Sequence, residues 1–247
     1  MACDINEGRL RPCKNSIGGL GKLYLFNYVE KPFTVSNGVV TAINPILTTV
    51  FEYEIEGDGN NIAESLVSDR NTGTSINTQT GTIVLKKVDA VTSYQMNLLA
   101  YSQPQAIVKD RNGIYHAIGI DDGIDFTVAQ TTGGAKGELN GYTLTGVSTT
   151  GALSPKLDSA TVSAFLALVS PTISGVSTVA VGSSITLIGS GTPAVSGTWV
   201  SGTPAKATAS ASTSNTVYIT GVATGTTVVT YKNINGLTVT KTITVTA

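Results

Sequence analysis

Alternation of apolar and polar positions runs through most of the chain, and one stretch breaks it with a helical period. Residues 50–56 (VFEYEIE) alternate strictly: Phe51, Tyr53 and Ile55 fall on one face of a strand, and Glu52, Glu54 and Glu56 on the other. The acidic face must meet water or a cation, because three carboxylates cannot be buried unpaired. Residues 22–29 (KLYLFNYV) read as an aromatic-rich strand, and 34–42 as a β run turned at Asn37-Gly38. The helical period follows residue 88. Asp89 is an N-cap candidate, and Val91, Tyr94, Leu98 and Leu99 then fall on one apolar stripe that ends before Pro104. Ile83-Val84-Leu85 closes a strand before this helix, and Ala106-Ile107-Val108 opens one after it. Arg111-Asn112-Gly113 then turns the chain into a return strand at 114–118.

Between these elements the pattern weakens. Residues 57–61 (GDGNN) read as a plain turn, since the ligand ladder of a calcium loop does not follow. Residues 62–79 are polar without a firm period and read as a long loop. Residues 123–129 and 139–145 read as strands, the second begun by an Asn-Gly turn. The pattern over 157–168 (LDSATVSAFLAL) fits a short helix or a strand. After Ser170-Pro171 the chain changes to seven short Val-, Ile- and Thr-rich runs separated by Gly, Ser and Thr, which is the spacing of a sandwich. Trp199, Tyr218 and Tyr231 are expected in its core.

Composition agrees with a β protein: charged residues are 13% of 247 and glycines number 27. The net charge of −1 gives no global case for gripping nucleic acid. The charge is unevenly divided. Residues 171–247 hold Lys206, Lys232 and Lys241 and no acid, leaving twelve bases against sixteen acids before them.

The first fourteen residues (MACDINEGRLRPCK) contain acids and no apolar signal core, which sets the expectation of folding in a cytoplasm. No run approaches a membrane-spanning length, so no membrane insertion is expected. Cys3 and Cys13 lie in a polar arm over residues 1–21, as free thiols or a short-range disulfide. No catalytic residues, cofactor or metal site are expected: His116 has no triad pattern around it, and no phosphate-binding or dinucleotide fingerprint occurs. Asp121, Asp122 and Asp125 cluster beside a glycine turn and read as a solvated loop.

Two resemblances add to this. Residues 179–187 (VAVGSSITL), 197–201 (GTWVS) and 219–231 (ITGVATGTTVVTY) resemble the bacterial Ig-like domains of group 2. The helix over 89–101, the VKDRNG turn at 108–113 and the GELNGYTL run at 137–144 resemble phage tail tube (major tail) proteins in layout, on a lambda-like plan of tube domain followed by one Ig-like domain. The resemblances imply a mainly β chain. A tail-tube-like β-barrel or sandwich with one flanking helix would occupy 1–170, and an Ig-like β-sandwich 171–247. They imply a virion protein of the phage tail, assembled in the host cytoplasm as stacked, hexameric rings. Its partners would be itself, the tape measure protein, phage DNA passing without specific binding, and a host cell surface touched by the Ig-like domain. Glu52, Glu54 and Glu56 would then line the lumen and repel phosphates. The arm and the loop at 62–79 would contact neighbouring rings. A capsid decoration or connector protein, the tube of a contractile injection machine, and a surface adhesin or carbohydrate-binding module remain as alternatives.

Overall fold

Strands apolar on both faces and strands apolar on one face sort the first 170 residues into layers. The computed structural model describes residues 7–55 and 57–247. Before residue 171 lie β1 (Leu20–Phe26), β2 (Phe33–Ser36), β3 (Val39–Ile43), β4 (Phe51–Glu54), β5 (Asn61–Asp69), β6 (Thr74–Lys86), α1 (Ala90–Tyr101), β7 (Gln105–Asp110), β8 (Tyr115–Ile118), β9 (Asp125–Thr131), β10 (Gly141–Thr150), β11 (Lys156–Leu157) and α2 (Ser159–Val169). They build a seven-stranded sheet in the order β2-β3-β11-β8-β7-β1-β4 and a four-stranded sheet in the order β5-β6-β10-β9.

The seven-stranded sheet is covered on both sides, which explains the unbroken apolar run of β1. Leu23 and Leu25 of β1 pack with Ala106 and Val108 against Ile83, Leu85, Tyr142 and Leu144 of the four-stranded sheet. Tyr24 and Phe26 point the other way, into a second core with Ile107, Tyr115 and Ala117 that α2 closes with Phe165 and Val169. The result is a three-layer stack of sheet, sheet and helix. The sheets face one another without closing into a barrel.

Three expectations change. Residues 62–79 are not a loop. They belong to a long antiparallel hairpin of β5 and β6, paired from Asn61↔Thr82 to Asp69↔Thr74. Its outer half is exposed on both faces, so no apolar period marks it. There are two helices among the described residues, not one, and the 157–168 ambiguity resolves as α2, capped by Asp158 accepting from the Thr161 amide at 2.6 Å. Finally, α1 forms where expected, with Asp89 accepting from the Thr92 amide at 2.9 Å, but it turns a different face inward. Met96 and Leu99 are buried, whereas Val91, Tyr94 and Leu98 are exposed.

After residue 171 come β12 (Ile173–Ser174), β13 (Thr178–Ala180), β14 (Ser184–Gly189), β15 (Trp199–Ser201), β16 (Ala207–Ala209), β17 (Thr216–Gly221), β18 (Gly225–Lys232) and β19 (Thr238–Thr246). They form two four-stranded sheets, β12-β14-β17-β16 and β13-β19-β18-β15, around their own core of Leu187, Trp199, Val217, Ile219, Val229, Tyr231 and Ile243. Trp199 and Tyr231 are buried with ring centroids 4.6 Å apart. Tyr218 departs from expectation: it is 60% exposed, because its neighbours Val217 and Ile219 take the core side of β17.

The turn between β18 and β19 reaches back to the first sheet. Asn235 accepts from the Glu52 amide at 3.0 Å and donates to the Val50 carbonyl at 2.8 Å, so its side-chain amide serves the open edge of β4 as a neighbouring strand would. Asn233, buried, donates to the Val169 carbonyl at 2.7 Å.

Candidate assembly surfaces

The acidic strand face predicted from residues 50–56 is placed on β4, on the side of the sheet that bears Lys22 and Tyr24. Lys22 bonds the Glu52 carboxylate and lies 3.7 Å from that of Glu54. The Glu52 side chain is only 9% exposed, so its charge is largely spent on Lys22. The hydrogen bond that Lys22 donates to Glu52, opposed by partial burial, leaves the Lys22 ammonium with a pKa above its ordinary value. Glu54 is exposed, and Glu56 lies outside the described residues. The structure thus brings Glu52 and Glu54 together around one lysine. Cys13 is exposed in the arm, and its partner in the disulfide question, Cys3, lies outside the described residues.

The outer face of the four-stranded sheet was not singled out from sequence. One face of this sheet packs on the first sheet; strand alternation turns the other to solvent. Register places Asn61, Thr82, Thr145 and Thr127 in one cross-strand row, and Ser65, Thr78 and Thr149 in another. Between them lie Ala63, Thr80, Val147 and Asp125. The face is therefore hydroxyl-rich and nearly uncharged, with Asp125 and Lys86 at its borders. The signal was present as the alternating Thr78-x-Thr80-x-Thr82 and Thr143-x-Thr145, but only the register unites them. Among the described residues no further strand pairs with either edge of this sheet, β5 or β9, and α1 packs against β9. All its pairings are antiparallel, so β5 and β9 run in opposite directions.

The β5–β6 hairpin extends past the end of β10, which pairs as far as Asn77, and exposes Leu66, Val67 and Ile76. Its base is pinned by Glu64. That carboxylate accepts from the Ser154 amide at 2.7 Å, from the Ser154 hydroxyl, from Asn77 at 2.9 Å and from Gln79 at 3.4 Å. Desolvation opposes the Glu64 charge, but these donors outweigh it and hold the pKa below the ordinary glutamate value. Among the described residues His116 pairs only with Asp110, at 3.4 Å. Among the described residues no cluster of three or more His, Cys, Asp or Glu side chains is arranged to hold a metal, and no helix is long and apolar enough to cross a membrane.

No family model matches the chain, and no curated protein matches it in sequence. Among solved structures, it aligns with a polysaccharide lyase at 11% identity and a TM-score of 0.27, over 93% of this chain and 40% of the other. The chain spans less than half of that protein's length, and a likeness this weak carries no conclusion about fold or activity.

Proposed function

We propose that the chain is a structural subunit of a phage tail tube, assembling as stacked rings around a DNA conduit, and not an enzyme. The observation that carries this reading is the four-stranded sheet with one packed face, one neutral hydroxyl face and, among the described residues, two edges of opposite direction with no further strand beside them. Under a rotational ring symmetry, β9 of one subunit meets β5 of the next in the antiparallel sense. The contact is heterologous and closes on itself, which removes exposed strand edges. The second edge of interest, β4, is already occupied by Asn235.

In this arrangement the threonine face lines the lumen. We assign that role to it rather than to Glu52, Glu54 and Glu56, since Lys22 engages Glu52 and both described glutamates point away from the four-stranded sheet. A lining of hydroxyls offers DNA no row of cations, and phosphate contacts to Lys and Arg are what make non-specific binding strong. The tape measure protein and DNA would pass without specific contact. The C-terminal sandwich, resembling an Ig-like domain, would sit outside, where exposed Tyr218 is available for weak contact with a cell surface.

Substituting lysine for Thr80, Thr82 and Thr145 in a phage carrying this protein tests the assignment. The expected result is normal tubes with infectivity reduced at least about tenfold, because each added cation is a new phosphate contact. Normal tubes with unchanged infectivity would refute the lumen assignment.

A further inference from the structure

The turn that joins β18 to β19 (residues 233–237) is held in shape by its own bonds. The Asn233 side-chain oxygen accepts from the amides of Asn235 at 3.1 Å and Leu237 at 3.0 Å, and the Asn233 carbonyl accepts from the Gly236 amide at 3.0 Å. Gly236 takes a φ of +76°, which glycine adopts without strain. Two side chains of this turn then serve backbone groups of the first 170 residues. β4 is the last strand of the seven-stranded sheet, and among the described residues no strand pairs with its outer edge. Val169 ends α2, where the last carbonyls have no donor within the helix. Asn235 takes the Val50 carbonyl and the Glu52 amide, and Asn233 takes the Val169 carbonyl.

The rest of this junction is polar and incompletely filled. Thr49 and Thr192 form a hydroxyl pair with their oxygens 2.9 Å apart. Gly191 comes so close to α2 that a Cβ there would lie 3.3 Å from the Leu168 carbonyl. No apolar core spans the junction: the buried members of the C-terminal core all lie after residue 171, and those of the other two cores before residue 170. Among the described residues no ion pair crosses it. A cavity of about 530 Å³ separates Ile43, Leu47 and Leu168 from Thr192 and Pro193. The chain crosses once, through residues 170–172 between α2 and β12. Units joined by a few directional bonds, with little shared apolar area, move relative to one another.

We infer that the C-terminal sandwich is a lid on the β4 edge, with the 233–237 turn as its latch. Closed, the latch gives that edge the donor and acceptor a neighbouring strand would give, and withholds it from strand pairing. Open, the sandwich swings about residues 170–172 and uncovers the Val50 carbonyl and the Glu52 amide. Asn235 suits the task because a carboxamide carries a donor and an acceptor on one carbon, as a peptide unit does, so it ends a sheet without extending it. An aspartate of the same size keeps the acceptor for Glu52 but turns a second oxygen toward the Val50 carbonyl. The latch therefore depends on one nitrogen atom. The inference goes beyond the tube reading and stands without it, since every contact lies within one chain.

Hydrogen exchange at the Glu52 amide, resolved by nuclear magnetic resonance on the monomeric full-length chain, tests the lid. Three forms are compared in a Cys3→Ser, Cys13→Ser background. They are the parent, Asn235→Asp, and a locked form in which Thr49→Cys and Thr192→Cys are oxidised to a disulfide. The bridge is within reach because the two native side-chain oxygens are 2.9 Å apart. The Glu52 amide should exchange at least about tenfold faster in Asn235→Asp than in the parent, and at least about tenfold slower in the locked form, as for a group exposed through local opening. The Leu144 amide, inside the paired β10, should exchange alike in all three. Unchanged Glu52 exchange in Asn235→Asp would overturn the latch. A locked form that exchanges at Glu52 as fast as the parent would overturn the lid, because the parent would then not open by swinging. The locked form leaves Asn235 in place, so it decides the question if Asn235→Asp loosens Leu144 as well.

Discussion

The two helices of the first 170 residues are nearly equal in length, both begin on an aspartate cap and both lack charge, yet they are used differently. α2 buries Thr161, Phe165 and Val169 and tucks Val162, Leu166 and Leu168 against the same core, so its apolar content is accounted for by the fold. α1 buries only Met96 and Leu99 and turns four large apolar side chains to solvent. Apolar composition in a helix thus has two meanings in one molecule: α2 completes a core, and α1 leaves most of its large apolar side chains on the surface. The sheets repeat the contrast. The seven-stranded sheet is covered on both faces, whereas the four-stranded sheet keeps one face free and, among the described residues, has no further strand at either edge.

The contrast can be broken most forcefully at its core-forming end. Phe165→Ala removes a fully buried ring from between α2 and the first sheet. The expected loss is about 3–5 kcal/mol, read as a lower denaturant midpoint. A loss under about 1 kcal/mol would mean that α2 is not the lid of a core. Next in size is Glu64→Ala, which strands the Ser154, Asn77 and Gln79 donors at the hairpin base. It should cost about 1–3 kcal/mol. This contribution depends on pH. The folded-state pKa is depressed, so the stabilisation is complete above the ordinary glutamate range and is lost as pH falls through and below it. Melting temperature against pH should therefore fall less steeply below about pH 4.5 in Glu64→Gln than in the parent. Parallel curves would remove Glu64 from the account.

Smaller still are the caps. Asp158→Ala and Asp89→Ala should each lower the denaturant midpoint by less than Glu64→Ala does, since each removes one capping acceptor at a helix start. Asp89 also sits against the Tyr142 hydroxyl, whose oxygen is 3.1 Å from the Asp89 carbonyl and 2.6 Å from the Ser93 hydroxyl, so α1 should stay anchored in that variant. The smallest effect on stability belongs to Tyr94→Ser with Leu98→Ser, within about 0.5 kcal/mol, as for exposed sites. A denaturant titration of that pair beside the parent measures the difference. If the pair unfolds the monomer instead, α1 and α2 are equivalent and the contrast fails.

Much of the fold was legible in the sequence because local chemistry decided it. The Asp89 cap, the stop at Pro104, the Asn112-Gly113 turn and the alternation of residues 50–56 are properties of short segments. What failed needed knowledge of neighbours. The side of α1 that faces inward was assigned on the premise that an apolar stripe seeks the core. Val91, Tyr94 and Leu98 break that premise, since the α1 contact with the core is made by Met96, Leu99 and the Ser93–Tyr142 bond. The β5–β6 hairpin was read as a loop because strands exposed on both faces have no apolar period, and its backbone pairing leaves no mark in composition. The acidic face of residues 50–56 does meet a cation, as its pattern requires, but Lys22 lies thirty residues away on β1 and only the strand pairing identifies it. The threonine face was written in three separate segments, and only the register of β5, β6, β10 and β9 unites them.

Cryo-electron microscopy of the concentrated full-length protein tests the central claim most directly. The expected result is hollow tubes in which β9 of one subunit pairs with β5 of the next, the threonine face turned to the lumen and the C-terminal sandwich outside. Tubes or rings with that face turned outward, or a protein that stays monomeric even when supplied with tail-tip components, would contradict it.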